Sequence, residues 1–129
     1  MTLHRRAPVR RRERGAAAVE FALVLPLVIT CITAVVEGGS RYTNQTQASH
    51  YAAVAARDLA IDPAKSATTV VGSLKTADGN TRSYTVSVPS TCSATSDTVK
   101  VVVAATIPSP TGMFGSYGVS GTGVARCEN

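Results

Sequence analysis

Residues 14–36 read Arg14-Gly15-Ala16-Ala17-Ala18-Val19-Glu20-Phe21-Ala22-Leu23-Val24-Leu25-Pro26-Leu27-Val28-Ile29-Thr30-Cys31-Ile32-Thr33-Ala34-Val35-Val36, and from Ala16 onward they carry one charge, Glu20. At about 1.5 Å of rise per residue, a helix over 16–36 is roughly 31 Å long, the thickness of a bilayer's hydrocarbon core. The stretch therefore predicts one membrane-spanning helix. Pro26 lies inside it, where a missing backbone donor kinks a helix at modest cost when neighbours compensate. Cys31, in this setting, is expected to be an inert thiol. A carboxylate facing lipid at Glu20 costs on the order of 1 to 3 kcal/mol depending on depth, so it is expected either to have a partner or to snorkel toward the headgroups.

Ahead of the apolar run, residues 1–15 hold six arginines (Arg5, Arg6, Arg10, Arg11, Arg12 and Arg14) against Glu13 alone, a net charge of +5. The whole chain is also +5, so residues 16–129 balance, with seven basic and seven acidic side chains. A basic run can signal nucleic-acid binding, but one abutting a spanning helix holds that end in the cytoplasm. The expected topology is single-pass, amino terminus in the cytoplasm and carboxyl-terminal domain outside, with no nucleic-acid partner. Pro8 and the arginine cluster offer no apolar face, so residues 1–15 are expected to be disordered. A secretory signal peptide also begins with a positive region, but here the apolar run is long for a signal core and Glu20 interrupts its start. A lipoprotein site at Cys31 is disfavoured by Thr30 before it.

Gly15 followed by Ala16, with Glu20 fifth and Phe21 sixth after the glycine, resembles the prepilin-peptidase site of type IV pilin-like proteins. More closely, residues 14–26 resemble the TadE-like family of minor pilins, or pseudopilins, of tight-adherence (Tad, Flp-type) pili. The similarity continues through Glu37-Gly38-Gly39-Ser40-Arg41-Tyr42 and on to Ala55-Ala56-Arg57. The resemblance implies cleavage between Gly15 and Ala16 by a prepilin peptidase, with Glu20 and Phe21 serving assembly. Cleavage would leave an amino group on Ala16 one helical turn from Glu20, on the same face, free to pair within the subunit or with the carboxylate of a neighbour. The resemblance also implies partners: the peptidase, other pilin subunits, and the Tad assembly platform proteins. The expected location is the cytoplasmic (inner) membrane, then a pilus or the cell surface after assembly.

Beyond Val36, Gly38 and Gly39 each weaken a helix by about 1 kcal/mol. Helical spacing then resumes, with Ala48, Tyr51, Ala52, Ala55 and Leu59 on one side and Gln45, Gln47, Ser49, Arg57 and Asp58 largely on the other. Asp62-Pro63 ends this amphipathic segment, because a proline disfavours helical geometry in the residue before it. His50 is read as a solvated helix residue. After Pro63 the period changes to alternation. Residues 69–74 and 83–88 flank the turn signal Ala77-Asp78-Gly79-Asn80 and read as a hairpin. Residues 97–107 give a third strand, apolar on most of both faces and so expected to be central. Residues 111–123, rich in glycine and serine, read as a loop anchored by Met113, Phe114 and Tyr117, with residues 124–127 a last short strand.

The resulting expectation is an α+β chain in four segments: a leader over 1–15, a transmembrane helix over 16–36, an amphipathic helix over 37–62, and an external antiparallel sheet domain over 63–129, covered by that helix. So small a domain has a marginal core. Cys92 and Cys127 both fall on the external side and leave Cys31 in the membrane, so one disulfide is expected, the alternative being a reduced pair. Such a loop closure stabilises by roughly 4 kcal/mol in the chain-entropy model. No phosphate loop, HExxH, nucleophile elbow or triad is present, His4 and His50 being the only histidines. No catalysis, metal or cofactor is expected. Besides the minor pilin, an uncleaved single-pass binding module of the cell envelope fits the same organisation.

Overall fold

The computed structural model describes residues 10–128, and residues 1–9 of the expected leader lie outside the described residues. Helix α1 spans Arg10–Ile61 and is followed by α2 (Ala67–Ala77), β1 (Thr85–Ser90), β2 (Thr98–Pro108) and β3 (Ser116–Arg126). Two compact units divide between Val36 and Glu37. Residues 10–15, expected to be disordered, are helical. Arginine is a good helix former, and a helix already nucleated by the apolar run extends at little cost. Pro26 and both Gly38 and Gly39 lie within α1, which ends one residue before Asp62-Pro63, as that dipeptide requires.

The sheet is an antiparallel meander of three strands in the order β1-β2-β3. β2 is central and pairs with β3 over eleven residues, from Thr98 opposite Arg126 to Pro108 opposite Ser116. Two expectations about this region are corrected. Residues 69–74 are not a strand but the middle of α2. Their β-branched Thr68-Thr69-Val70-Val71 run suggests a strand, yet Ala67, Val70, Val71 and Leu74 follow helical spacing, and Ala67 and Val71 are buried against the core. Tertiary burial outweighs the few tenths of a kcal/mol of intrinsic preference. The second correction is β3, which runs through most of the stretch read as a loop.

One face of the sheet is covered by α1. The stripe Tyr51, Ala52, Ala55, Ala56 and Leu59 lies in one core with Val99, Val101 and Val103 of β2, and Ala48 lies in a second cluster with Ala105, Ile107, Tyr117 and Val119. Each such valine, fully removed from water, contributes about 1.5–3 kcal/mol. Along β3 the inward positions are Tyr117, Val119, Gly121 and Gly123. A Cβ at Gly121 would fall inside the backbone of Ala48 and Ser49, and one at Gly123 inside that of Ala52 and Ala53. Helix and strand therefore touch backbone to backbone, which only glycine allows. The pairings ascend together, Tyr117 beside Ser40 and Glu128 N–H on the Ala60 carbonyl, so β3 runs alongside α1 in the same direction.

α2 is joined to α1 by polar contacts as well as by burial. The Tyr51 hydroxyl donates to Asp78 Oδ2 at 2.8 Å, and Asn80 Nδ2 donates to the hydroxyl of Tyr84 at 3.0 Å. The Tyr51 and Tyr84 rings meet edge to face, centroids 5.4 Å apart. Cys92 and Cys127 are bonded across a Cα separation of 5.8 Å, which joins the segment after β1 to the residue after β3.

Candidate functional site

The first unit is a helix with nothing over its apolar surface. Leu23, Leu27, Ile29, Ile32 and Val35 are each more than half exposed, Leu23 and Val35 at 75%. A helix apolar all round is stable only inside a protein core or a bilayer, because exposed aliphatic surface costs about 25 cal/mol per Å² in water. Within α1 lies a stretch long and apolar enough to cross a membrane, none of it buried within the chain. Its hydroxyls are satisfied internally. Thr30 Oγ1 donates to the Pro26 carbonyl at 2.8 Å and Thr33 Oγ1 to that of Ile29 at 2.9 Å, the arrangement that makes a polar side chain tolerable in hydrocarbon.

The residues singled out at the start of this stretch, Gly15, Ala16, Glu20 and Phe21, all lie on α1 and are solvent-exposed. Ala16 and Glu20 are four apart and share a face. Gly15 has nothing within 4 Å of where its Cβ would be. Phe21 is 66% exposed. These side chains form no enclosed pocket and no catalytic array; what they offer is a surface of small and apolar groups with one carboxylate set into it. Small residues such as Ala16, Ala17, Ala18 and Ala22 let helix backbones approach closely.

The second unit begins with a polar clamp that sequence reasoning did not single out. Glu37 Oε1 accepts from the hydroxyls of Ser109 and Thr111 and from the Thr111 N–H. These bonds, the Ser109 hydroxyl first, hold the Glu37 carboxyl below its ordinary pKa, and partial burial opposes them. Two turns on, Asn44 Nδ2 donates to the Ser40 carbonyl at 2.8 Å and to the Tyr117 hydroxyl at 3.0 Å, and the Arg41 guanidinium lies 4.8 Å from the Tyr117 ring centre. Gln45 then bonds both backbone groups of Ser120, donating to its carbonyl at 2.6 Å and accepting from its N–H. Glu37, Asn44 and Ala48 continue the buried stripe at steps of seven and four, which is the signal that finds them.

No group of three or more histidine, cysteine or acidic side chains able to hold a metal occurs among the described residues. His50 stands exposed on α1. Residues 15–57, a third of the chain, match a family model described as TadE-like protein. The matched segment takes in the Gly15-Ala16 junction, the apolar stretch and the helix as far as Arg57, and stops before β1. No curated protein and no solved structure matches the chain.

Proposed function

We propose that this chain is a minor pilin of a Tad-type adhesive pilus, with a structural rather than a catalytic role. In this reading a prepilin peptidase cuts between Gly15 and Ala16, and residues 16–36 hold the subunit in the cytoplasmic membrane until it is assembled. The basic residues before Gly15 keep that end in the cytoplasm and place the sheet domain outside. The new amino group on Ala16 then pairs with Glu20 of a neighbour, while Phe21 and the alanines meet other pilin helices. Tad assembly platform proteins take up the subunit. The observation that carries this reading is the uncovered apolar stretch of α1 that follows the Gly15-Ala16 junction, with one carboxylate a turn in, inside the segment that matches the TadE-like family model.

The test is the intact mass and amino-terminal sequence of the protein recovered from membranes of cells with and without their prepilin peptidase. A start at Ala16 only when the peptidase is present is the expected result, and Gly15→Val is expected to abolish it together with piliation. A start at Met1 in both strains overturns the reading and leaves an uncleaved, membrane-anchored binding module.

A further inference from the structure

Hairpin β2-β3 points its turn at a defined place. Because β3 runs in the direction of α1, the turn between the two strands lies at the Glu37 end of the covering helix. The clamp fixes it there: Ser109 and Thr111 of the turn both bond the Glu37 carboxylate. Glu37 is the residue that follows Val36, the last of the apolar stretch. The turn is thus tied by hydrogen bonds to the residue that directly follows the apolar stretch in the chain.

The turn's composition fits that neighbourhood. Residues 108–116 read Pro-Ser-Pro-Thr-Gly-Met-Phe-Gly-Ser, without a charge. Its tip presents two consecutive large apolar side chains, Met113 at 72% exposed and Phe114 at 66%, flanked by Gly112 and Gly115 at positive φ. They follow Thr111 by two and three residues, a reach of roughly 10 Å at most. Each polar layer between water and hydrocarbon is about 5–8 Å deep. A residue at the helix exit therefore brings the tip within range of the boundary between headgroups and acyl chains, where aromatic and apolar side chains gain most from leaving water without full insertion.

We propose that Met113 and Phe114 form a second, shallow membrane contact, seated in the headgroup–acyl boundary beside the helix exit. The contact rests on the reading of 16–36 as a membrane span. Burying two such side chains offsets the cost of holding the small domain close to the bilayer and limits its rotation about the helix. The tip is polar in its attachment to the protein, through Glu37, and apolar toward lipid.

The chain has no tryptophan, so a single introduced indole reports one position. The full chain carrying Phe114→Trp, and separately Met113→Trp, is reconstituted in phosphatidylcholine vesicles brominated either near the headgroup end or near the terminus of the acyl chain. Val35→Trp serves as the span control. The expected result is a blue-shifted emission at 113 and 114, quenched more strongly by the shallow bromines than by the deep ones, with Val35→Trp also quenched. Quenching at 35 but at neither tip position overturns the proposal while leaving the span intact. Quenching at none of the three removes the span reading and the proposal with it. A blue shift at the tip that lipid bromine does not quench, and that grows with the protein-to-lipid ratio, places the tip against a second copy and overturns the proposal too.

Discussion

The carboxylate of Glu37 accepts a hydrogen bond from the hydroxyl of Ser109, 72 residues further along the chain, and so joins the first residue of the folded unit to the end of its longest hairpin. Folding favours the ionised form, since the Glu37 pKa lies below the ordinary value of 4.5. The sign follows from linkage: stability from this carboxylate is present above pH 4.5 and lost as the pH falls through the lowered folded-state value. Thermal melts of the detergent-solubilised chain taken from neutral pH downward are expected to show a loss of stability below about pH 4.5 that is smaller in Glu37→Gln. An equal loss in both proteins assigns the acid sensitivity to other carboxylates.

Gly121→Ala and Gly123→Ala each place a methyl group inside the backbone of α1. Each is expected to destabilise by about 1–3 kcal/mol or more in urea denaturation, as overpacking against atoms that cannot rotate away does. Gly118→Ala, with nothing within 4 Å of its Cβ position, is the control and is expected to stay within about 0.5 kcal/mol of the parent.

Reduction of the Cys92-Cys127 bond, or Cys92→Ser, reopens a loop with a sequence separation of 35. The expected loss is roughly 4 kcal/mol in the chain-entropy account. Urea midpoints with and without reductant measure it, and in Cys92→Ser the reductant should have no further effect.

Tyr51 is fully buried and donates to Asp78. Tyr51→Phe is expected to cost about 1.5–3 kcal/mol, the range for a hydrogen bond to a charged group, and Asp78→Asn, which keeps an acceptor, less. Burial first, and the Asp78 carboxylate with it, raises the Tyr51 pKa above 10.0. The parent's stability is therefore expected to fall as the pH rises from 10.0 through the folded-state value, and Tyr51→Phe should flatten that alkaline limb.

Much of the helical half is legible in residues. The run from Ala16 to Val36 has no charge but Glu20, and Ala48, Tyr51, Ala52, Ala55 and Leu59 announce the face that covers the sheet by spacing alone. The sheet is less legible, and Gly121 and Gly123 show why. Read locally, glycine marks a loop; here it marks the places where a strand and a helix touch through their backbones, and the reason lies in Ala48 and Ala52, some seventy residues earlier. The Thr68–Val71 run misleads in the opposite way, since β-branched residues chosen for a buried helical face look like a strand until their spacing is counted. Spacing puts Glu37 on the buried stripe but does not reveal the clamp, because its partners, Ser109 and Thr111, are ordinary hydroxyl residues whose meaning depends on the hairpin that carries them.

The cysteine pair has one more effect. Every peptide bond between Cys92 and Cys127 belongs to a closed covalent ring, and the ring contains all of β2, all of β3 and the turn with the exposed Met113 and Phe114. A protease that cuts at that turn opens the ring without severing the molecule: the nicked protein keeps its mobility on a non-reducing gel and separates into two pieces only when reduced. A cut at this turn is thus survivable, because the disulfide keeps both pieces of the sheet on one molecule.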